Sequence, residues 1–305
     1  MKESKYIWMS GKLVDWKDAK IHVLSHGLHY GTAVFEGIRA YKTDQGPAIF
    51  RAEEHYNRLF DSAKIIQMNI PFDSSTLIEK TKQLIVKNNL DSCYIRPISY
   101  FGYNELGLNP GENPVEVAIA MWEWGTYLGQ DGLENGIRCK ISSWTRLDSR
   151  TMSPHAKTAA NYVNSGFAKR EALNCGYDEA ILLNSNGFIA EGPGENLFLI
   201  KDNVIYTPPV QDCVLKGITA SSVISIAKNL GYDVQYKSLI RDELFLADEL
   251  FFTGTAAEVT PIREVDERII GNGKRGPITE KIQTDFFDIV HGKKSEYSNW
   301  LTLAN

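Results

Sequence analysis

Apolar residues along this chain repeat with two different periods, and the switches between them mark out its elements. The runs YIWM and KLVDW, separated by Ser10 and Gly11, predict a short hairpin. In EEHYNRLFDSAKII the spacing puts Tyr56, Leu59, Ala63 and Ile66 on one helical face. A second helix is predicted near 74–88, with Leu77, Thr81, Leu84 and Ile85 turned inward. SCYIRPISYFG and VEVAIAMWEW have the length and β-branched content of buried strands.

The stretch GTYLGQDGLENG (125–136), rich in glycine and polar residues, reads as a linker between domains spanning 1–124 and 137–305. Beyond it, GIRCKISSW and DEAILLN predict strands, with Asn186-Gly187 as a turn. NLFLIKDNVIYTPP predicts a hairpin turning at Asp202-Asn203. ASSVISIAKNL repeats Val223, Ile226, Ala227 and Leu230 at helical spacing, and Gly231 stands where a helix ends in a left-handed residue. A last helix covers roughly 278–290. Strands and helices mixed in two parts give an α+β reading.

Composition narrows the function classes. The chain has 305 residues, enough for two domains with sizeable cores. Hydrophobic residues make up 43% and charged ones 23%, the balance of a globular protein. A net charge of −5 argues against a general nucleic-acid binder. The first residues, MKESKYIWMS, lack the apolar core of a signal peptide. The most apolar run, VAIAMW between Glu116 and Glu123, is too short to span a bilayer. The expected location is the cytoplasm, with no membrane partner. Cys93, Cys139, Cys175 and Cys213 are scattered without a C-x-x-C pair, so neither a disulfide framework nor a cysteine zinc site is expected.

Several motifs carry less than they promise. His22, His26 and His29 are close in sequence, but Gly27 interrupts the helix that a catalytic zinc pair needs, so no metal is expected. EGPGENLF lacks the third glycine of a dinucleotide loop and contains Pro193, and neither a Walker loop nor G-x-S-x-G is present. What remains is a set of complementary parts. Lys157 lies among small residues in SPHAKTAANY, as a lysine holding a flat ring would require. A Schiff-base lysine needs a neutral amine, room for an aldehyde-bearing ring and a phosphate site nearby. Glu191, on a glycine-rich turn, could hold a proton on a heterocyclic nitrogen. KGITASS starts a helix whose free N–H groups attract an anion. TGTAAE offers another turn of backbone donors, and Arg58 could add a bidentate bond to phosphate.

HGLHYGTAVFEGIRAY, YIRP, HAKTAANY, AEGPGENLF, KGIT and TGTAAEVTPI occur in the order seen in branched-chain amino acid aminotransferases. From about Tyr6 to the final helix the chain resembles that family. The resemblance implies a two-domain fold type IV enzyme, like D-amino acid aminotransferase, with pyridoxal 5'-phosphate as cofactor. Lys157 would form the covalent link to the cofactor and later carry the proton. Glu191 would pair with the ring nitrogen and Tyr162 with the phenolic oxygen. Arg58, Gly217, Ile218, Thr219 and Thr255 would hold the phosphate. Tyr94, Thr255 and Ala256 would receive the substrate α-carboxylate, while Phe35, Tyr30, Trp124 and Tyr127 would form an apolar pocket. Arg96 would act as a movable cation for the second carboxylate of glutamate.

The implied reaction is reversible amino transfer between L-leucine, L-isoleucine or L-valine and 2-oxoglutarate. A homodimer is expected, or a hexamer built as a trimer of dimers, with the loop near 103–109 contributed by the neighbour. Three rival readings stand beside this one: a D-amino acid or (R)-amine aminotransferase, a lyase of the same fold such as aminodeoxychorismate lyase, and a scaffold without activity.

Overall fold

The computed structural model describes residues 2–125 and 127–304. It contains two compact units, one holding the chain up to Trp124, Ala156–Ala160 and the stretch from Asp288, the other holding Gly125–His155 and Asn161–Phe287.

The first unit opens with strands β1 (Tyr6–Met9) and β2 (Lys12–Asp15), the predicted hairpin. A short helix α1 (His26–Tyr30) leads to β3 (Ala33–Phe35), β4 (Ile38–Thr43) and β5 (Gly46–Phe50). Helices α2 (Ala52–Ile65) and α3 (Ser74–Lys87) precede the long strands β6 (Cys93–Phe101) and β7 (Val115–Trp122). The sheet runs from the strand Leu301–Leu303 through β5, β4, β6, β7 and β1 to β2, with β3 also pairing with β6. Every neighbouring pair in it is antiparallel.

Local chemistry explains the two helices. α3 starts where Asp73 accepts a hydrogen bond from the Thr76 N–H at 2.7 Å, satisfying one of the donors left open at a helix start. Its inward residues Leu77, Thr81, Leu84 and Ile85 are all buried, as their spacing predicts. α2 buries Tyr56, Leu59 and Ala63, whereas Ile66 falls just past its last turn and is only half-buried. These residues join Ile38, Ile49, Ile95, Ile119 and Met121 in one core.

In the second unit, α4 (Gln130–Asn135) occupies part of the stretch read as a linker. Gln130 Nε2 donates to Glu134 and Asn135 Nδ2 to Asp131, side-chain bonds between successive turns that give a polar, glycine-containing run enough support to coil. Strands β8 (Ile137–Ile141) and β9 (Glu179–Ile181) flank helix α5 (Asn161–Asn174) in the chain. β10 (Asn196–Lys201) and β11 (Val204–Thr207) form the predicted hairpin, and Asp202 and Asn203 both have positive φ, at 51° and 62°, the requirement of a type I′ turn. Helix α6 (Ile218–Asn229) ends just before Gly231, whose φ is 86°.

There follow β12 (Asp233–Tyr236), α7 (Arg241–Phe245), β13 (Glu249–Gly254), β14 (Glu258–Val265), β15 (Arg268–Ile269) and helix α8 (Pro277–Val290). The sheet order is β12, β11, β10, β13, β14, β8, β9, with β15 on β14. It is mixed, being parallel at β11–β12, β14–β8 and β8–β9. Among the described residues no helix is long and apolar enough to cross a membrane.

Candidate active site

Lys157 belongs to the first unit, where a five-residue excursion of the chain lies along β3. The Phe35 N–H donates to the Lys157 carbonyl at 3.1 Å, and the Ala159 N–H donates to the Ala33 carbonyl at 2.8 Å. The Lys157 N–H reaches Ser62 Oγ on α2 at 2.9 Å. Ala156 and Thr158 are buried, and Ala160 lies close against Gly31. The small residues around the lysine therefore let its backbone lie close to its neighbours.

Phe35 sits among the cationic groups. The Lys157 ammonium is 5.0 Å from its ring centroid and the Arg96 guanidinium 4.8 Å, both within cation–π range. Arg96 and Tyr94 are two residues apart on β6 and so share a face, and Arg96 Nη2 donates to the Tyr94 hydroxyl at 3.2 Å. Arg96 Nε is buried without a hydrogen-bond partner among the described residues. Trp124 packs edge-on against Tyr94 with centroids 4.3 Å apart. Gly37 is dictated by this arrangement, because a Cβ there would collide with the Tyr94 hydroxyl.

Lys157, Phe35, Tyr94, Arg96 and Trp124 are thus gathered together on one unit. Tyr30 is exposed, its hydroxyl donating to the Leu106 carbonyl at 2.9 Å. Tyr127 lies in the second unit, its ring 5.5 Å from the Lys169 ammonium.

Arg58, expected at a phosphate, makes a two-pronged ion pair with Glu36. Its Nε donates to Oε1 at 2.6 Å and its Nη2 to Oε2 at 2.8 Å. His55 Nδ1 also reaches Glu36 Oε2, at 2.7 Å. Burial alone would raise the Glu36 carboxyl, but the charge and hydrogen bonds of Arg58, with help from His55, hold it well below the usual carboxylate range. Burial pushes His55 down, so its imidazole is neutral and donates through Nδ1 to the ionised carboxylate.

The second unit gathers the other expected groups. Glu191 is buried, and Arg146 Nε donates to its Oε1 at 2.7 Å. Its Oε2 accepts from the Leu215 N–H at 3.0 Å and from Asn196 Nδ2 at 3.2 Å. Gly217 precedes the first turn of α6, and a Cβ on it would overlap Asn196 Oδ1. Having no side chain to cap the helix, it leaves the N–H groups of Ile218 and Thr219 to an anion. Thr255 and Ala256, both half-buried, form the turn between β13 and β14. Tyr162 is half-buried in the first turn of α5. On the same EGPGEN turn the buried Glu195 accepts from the Gly194 N–H at 2.9 Å. Burial, with the neighbouring Glu179, pushes the Glu195 carboxyl up to about 8.

Glu36, His55, Ser62, Arg146 and Asn196 were not singled out by sequence. Each is a buried polar residue, with partners from five residues away, for Asn196 and Glu191, to 95 residues away, for Ser62 and Lys157. The available signal was chemical: a residue type costly to bury implies a partner, without saying which one.

Known proteins bear on this arrangement. The family model for amino-transferase class IV matches residues 33–265. The chain belongs to the class IV aminotransferases. A branched-chain-amino-acid aminotransferase from Pseudomonas aeruginosa is 50% identical, the match covering 98% of this chain and 97% of that one. The crystal structure of the Escherichia coli branched-chain amino acid aminotransferase superposes with a TM-score of 0.98 at 46% identity, covering 99% of this chain and all of that one. The T.th. branched-chain amino acid aminotransferase, solved with pyridoxamine 5'-phosphate, gives a TM-score of 0.97 at 49% identity over the whole of both chains. The α+β expectation therefore holds, and the aminotransferase works with pyridoxal phosphate. Each unit by itself carries groups of the kind such a cofactor needs: the first a lysine amine at Lys157, the second a carboxylate at Glu191 braced by Arg146, Asn196 and the Leu215 N–H, and the uncapped start of α6.

Proposed function

We propose that this class IV aminotransferase transfers the amino group reversibly between L-leucine, L-isoleucine or L-valine and 2-oxoglutarate, giving branched-chain 2-oxo acids and L-glutamate. The observation that carries this reading is Arg96, a guanidinium whose Nε has no partner among the described residues, set among the rings of Phe35 and Tyr94. An apolar aromatic surface suits a branched side chain, and a cation within it suits the second carboxylate of glutamate. Pyridoxal phosphate supplies an aldehyde to hold the amino group and a ring that takes up electrons. Lys157 would anchor that aldehyde and carry the proton at the substrate Cα. Glu191 would keep a proton on the ring nitrogen, and Tyr162 would bond the phenolic oxygen. Arg58, Gly217, Ile218, Thr219 and Thr255 would hold the phosphate. Tyr94, with the backbone at Thr255 and Ala256, receives the α-carboxylate. Trp124, Tyr30 and Tyr127 complete the apolar walls.

A homodimer in the cytoplasm is the proposed working form, with a hexamer of three dimers as its larger assembly. Exposed apolar side chains support it: Val23, Leu28 and Tyr30 in the chain around α1, and Tyr103, Leu106 and Leu108, the last 84% exposed. A set of this kind on one unit marks a surface that another protein covers.

The deciding experiment is the visible spectrum of the purified enzyme. A yellow band that fades with L-leucine and returns with 2-oxoglutarate is expected. A band bleached only by a D-amino acid or an amine would overturn the substrate assignment. A protein that forms no band with excess pyridoxal phosphate would overturn the role of Lys157.

A further inference from the structure

Ser62 joins the two groups of the first unit that the proposed function needs most. It lies on α2, fully buried, one helical turn after Arg58. Its hydroxyl donates to the Arg58 carbonyl at 2.8 Å. That back-bond uses the hydroxyl's one proton and leaves its lone pairs facing outward from the helix. One of them accepts the Lys157 N–H at 2.9 Å. The hydroxyl therefore has a fixed polarity: donor toward the helix, acceptor toward the lysine.

The bonds around it close a circuit. From Ser62 the path runs to the Arg58 backbone, then through the Arg58 guanidinium to the Glu36 carboxylate at 2.6 and 2.8 Å. Glu36 is covalently joined to Phe35, whose N–H donates to the Lys157 carbonyl at 3.1 Å. The Lys157 N–H returns to Ser62. Both backbone polar groups of Lys157 are held within this loop, one by β3 and one by the hydroxyl. Elsewhere on the excursion the Ala159 N–H is fixed by Ala33 at 2.8 Å. Removing the hydroxyl takes away the acceptor that α2 offers to the lysine backbone.

We propose that Ser62 is a positioning residue, which sets the backbone of Lys157 at a fixed distance from Arg58 and so matches the span between the cofactor's aldehyde anchor and its phosphate. This rests on the reading of Lys157 as anchor and Arg58 as phosphate donor. A residue that only stabilised the fold would not alter how tightly the folded protein holds the cofactor, nor the protonation of the lysine–cofactor bond. A residue that sets the span alters both.

The test is Ser62→Ala in the full chain, with pyridoxal phosphate as the titrant and the visible band as the readout. The expected result is binding about tenfold weaker than the parent, the scale of one hydrogen bond that holds the lysine backbone where the cofactor needs it. The pH midpoint of the visible band is expected to move as well. An unchanged dissociation constant together with an unchanged midpoint overturns the proposal, whether or not the melting temperature falls. If Ser62→Ala does not fold, Ser62→Cys keeps nearly the same shape with a weak acceptor. It is expected to weaken binding in the same direction, and parent-like binding by that variant overturns the proposal equally. Lys157→Ala separates the two levels: if borohydride still fixes the cofactor to that protein, the reading of Lys157 fails, whatever Ser62 does.

Discussion

Both units set an arginine against a buried glutamate, and the two pairs are built in opposite senses. In the first, Arg58 grips Glu36 with two prongs while His55 takes a further contact, so the carboxylate is surrounded by donors. In the second, Arg146 touches Glu191 through Nε, and the other carboxylate oxygen is met by Asn196 and the Leu215 N–H. In the proposed function the working member differs: the arginine in the first pair and the carboxylate in the second. In that reading Glu36 orients a cation and Arg146 steadies an anion. In that function one kind of ion pair would support two kinds of chemistry, and burial alone does not say which partner acts.

The largest expected effect is at a working member. Glu191→Ala should lower the rate of amino transfer from L-leucine by roughly 100-fold or more in single-turnover measurements, the usual scale for losing a group that controls a proton. A parent-like rate would break the contrast, since Glu191 would then be structural like Glu36. Next come the supporting members. Glu36→Ala and Arg146→Ala each remove one member of an ion pair whose glutamate is buried and should cost roughly 3–5 kcal/mol in urea unfolding. The contrast sharpens if Glu36→Ala also weakens the binding of inorganic phosphate to the folded protein more than Arg146→Ala does. Equal effects on phosphate would remove the asymmetry.

A smaller effect belongs to Arg96. Arg96→Ala should reduce turnover with 2-oxoglutarate about tenfold more than turnover with the 2-oxo acid of leucine, a factor typical of one hydrogen bond to a charged group. Equal losses with both substrates would remove its part in selectivity.

A last effect concerns a carboxyl held neutral beside the second pair. An ordinary glutamate ionises near 4.5, whereas Glu195 does so at about 8 in the folded protein. Between those values the native state keeps a proton that the unfolded chain has released, so stability falls as pH rises and levels off above 8. Glu195→Gln should flatten that slope in melting temperatures taken from about pH 5 to pH 8. A slope equal to the parent's would show that Glu195 does not set it.

Much of the fold was legible because its signals are local. The inward faces of α2 and α3 and the Asp202-Asn203 turn follow from spacing and backbone preference within a few residues. The helix in 130–135 was missed because its composition argues for a loop, and its supporting side-chain bonds show only once it coils. The motif residues Lys157, Glu191, Arg58 and Arg96 could be named from their order along the chain. Their supports could not. Arg146 is 45 residues from Glu191 and Glu36 is 22 from Arg58, separations at which no periodicity operates. Phe35 showed the same limit: the sequence marks it as an aromatic wall, and only the fold reveals two cations beside its ring.

The first unit is stitched from distant pieces of the chain, and that ordering has a consequence during synthesis. Its sheet lacks an edge until Leu301–Leu303 pairs with β5, and its lysine arrives only with residues 156–160. A nascent chain that has emerged as far as Trp124 carries β5 with one side unpaired and the Phe35 backbone N–H unsatisfied by its later partner. Long-range closures of this kind come late and slowly, and exposed strand edges invite pairing with the wrong chain while they wait. The ribosome must therefore finish the whole of the second unit's sequence before the first can be completed.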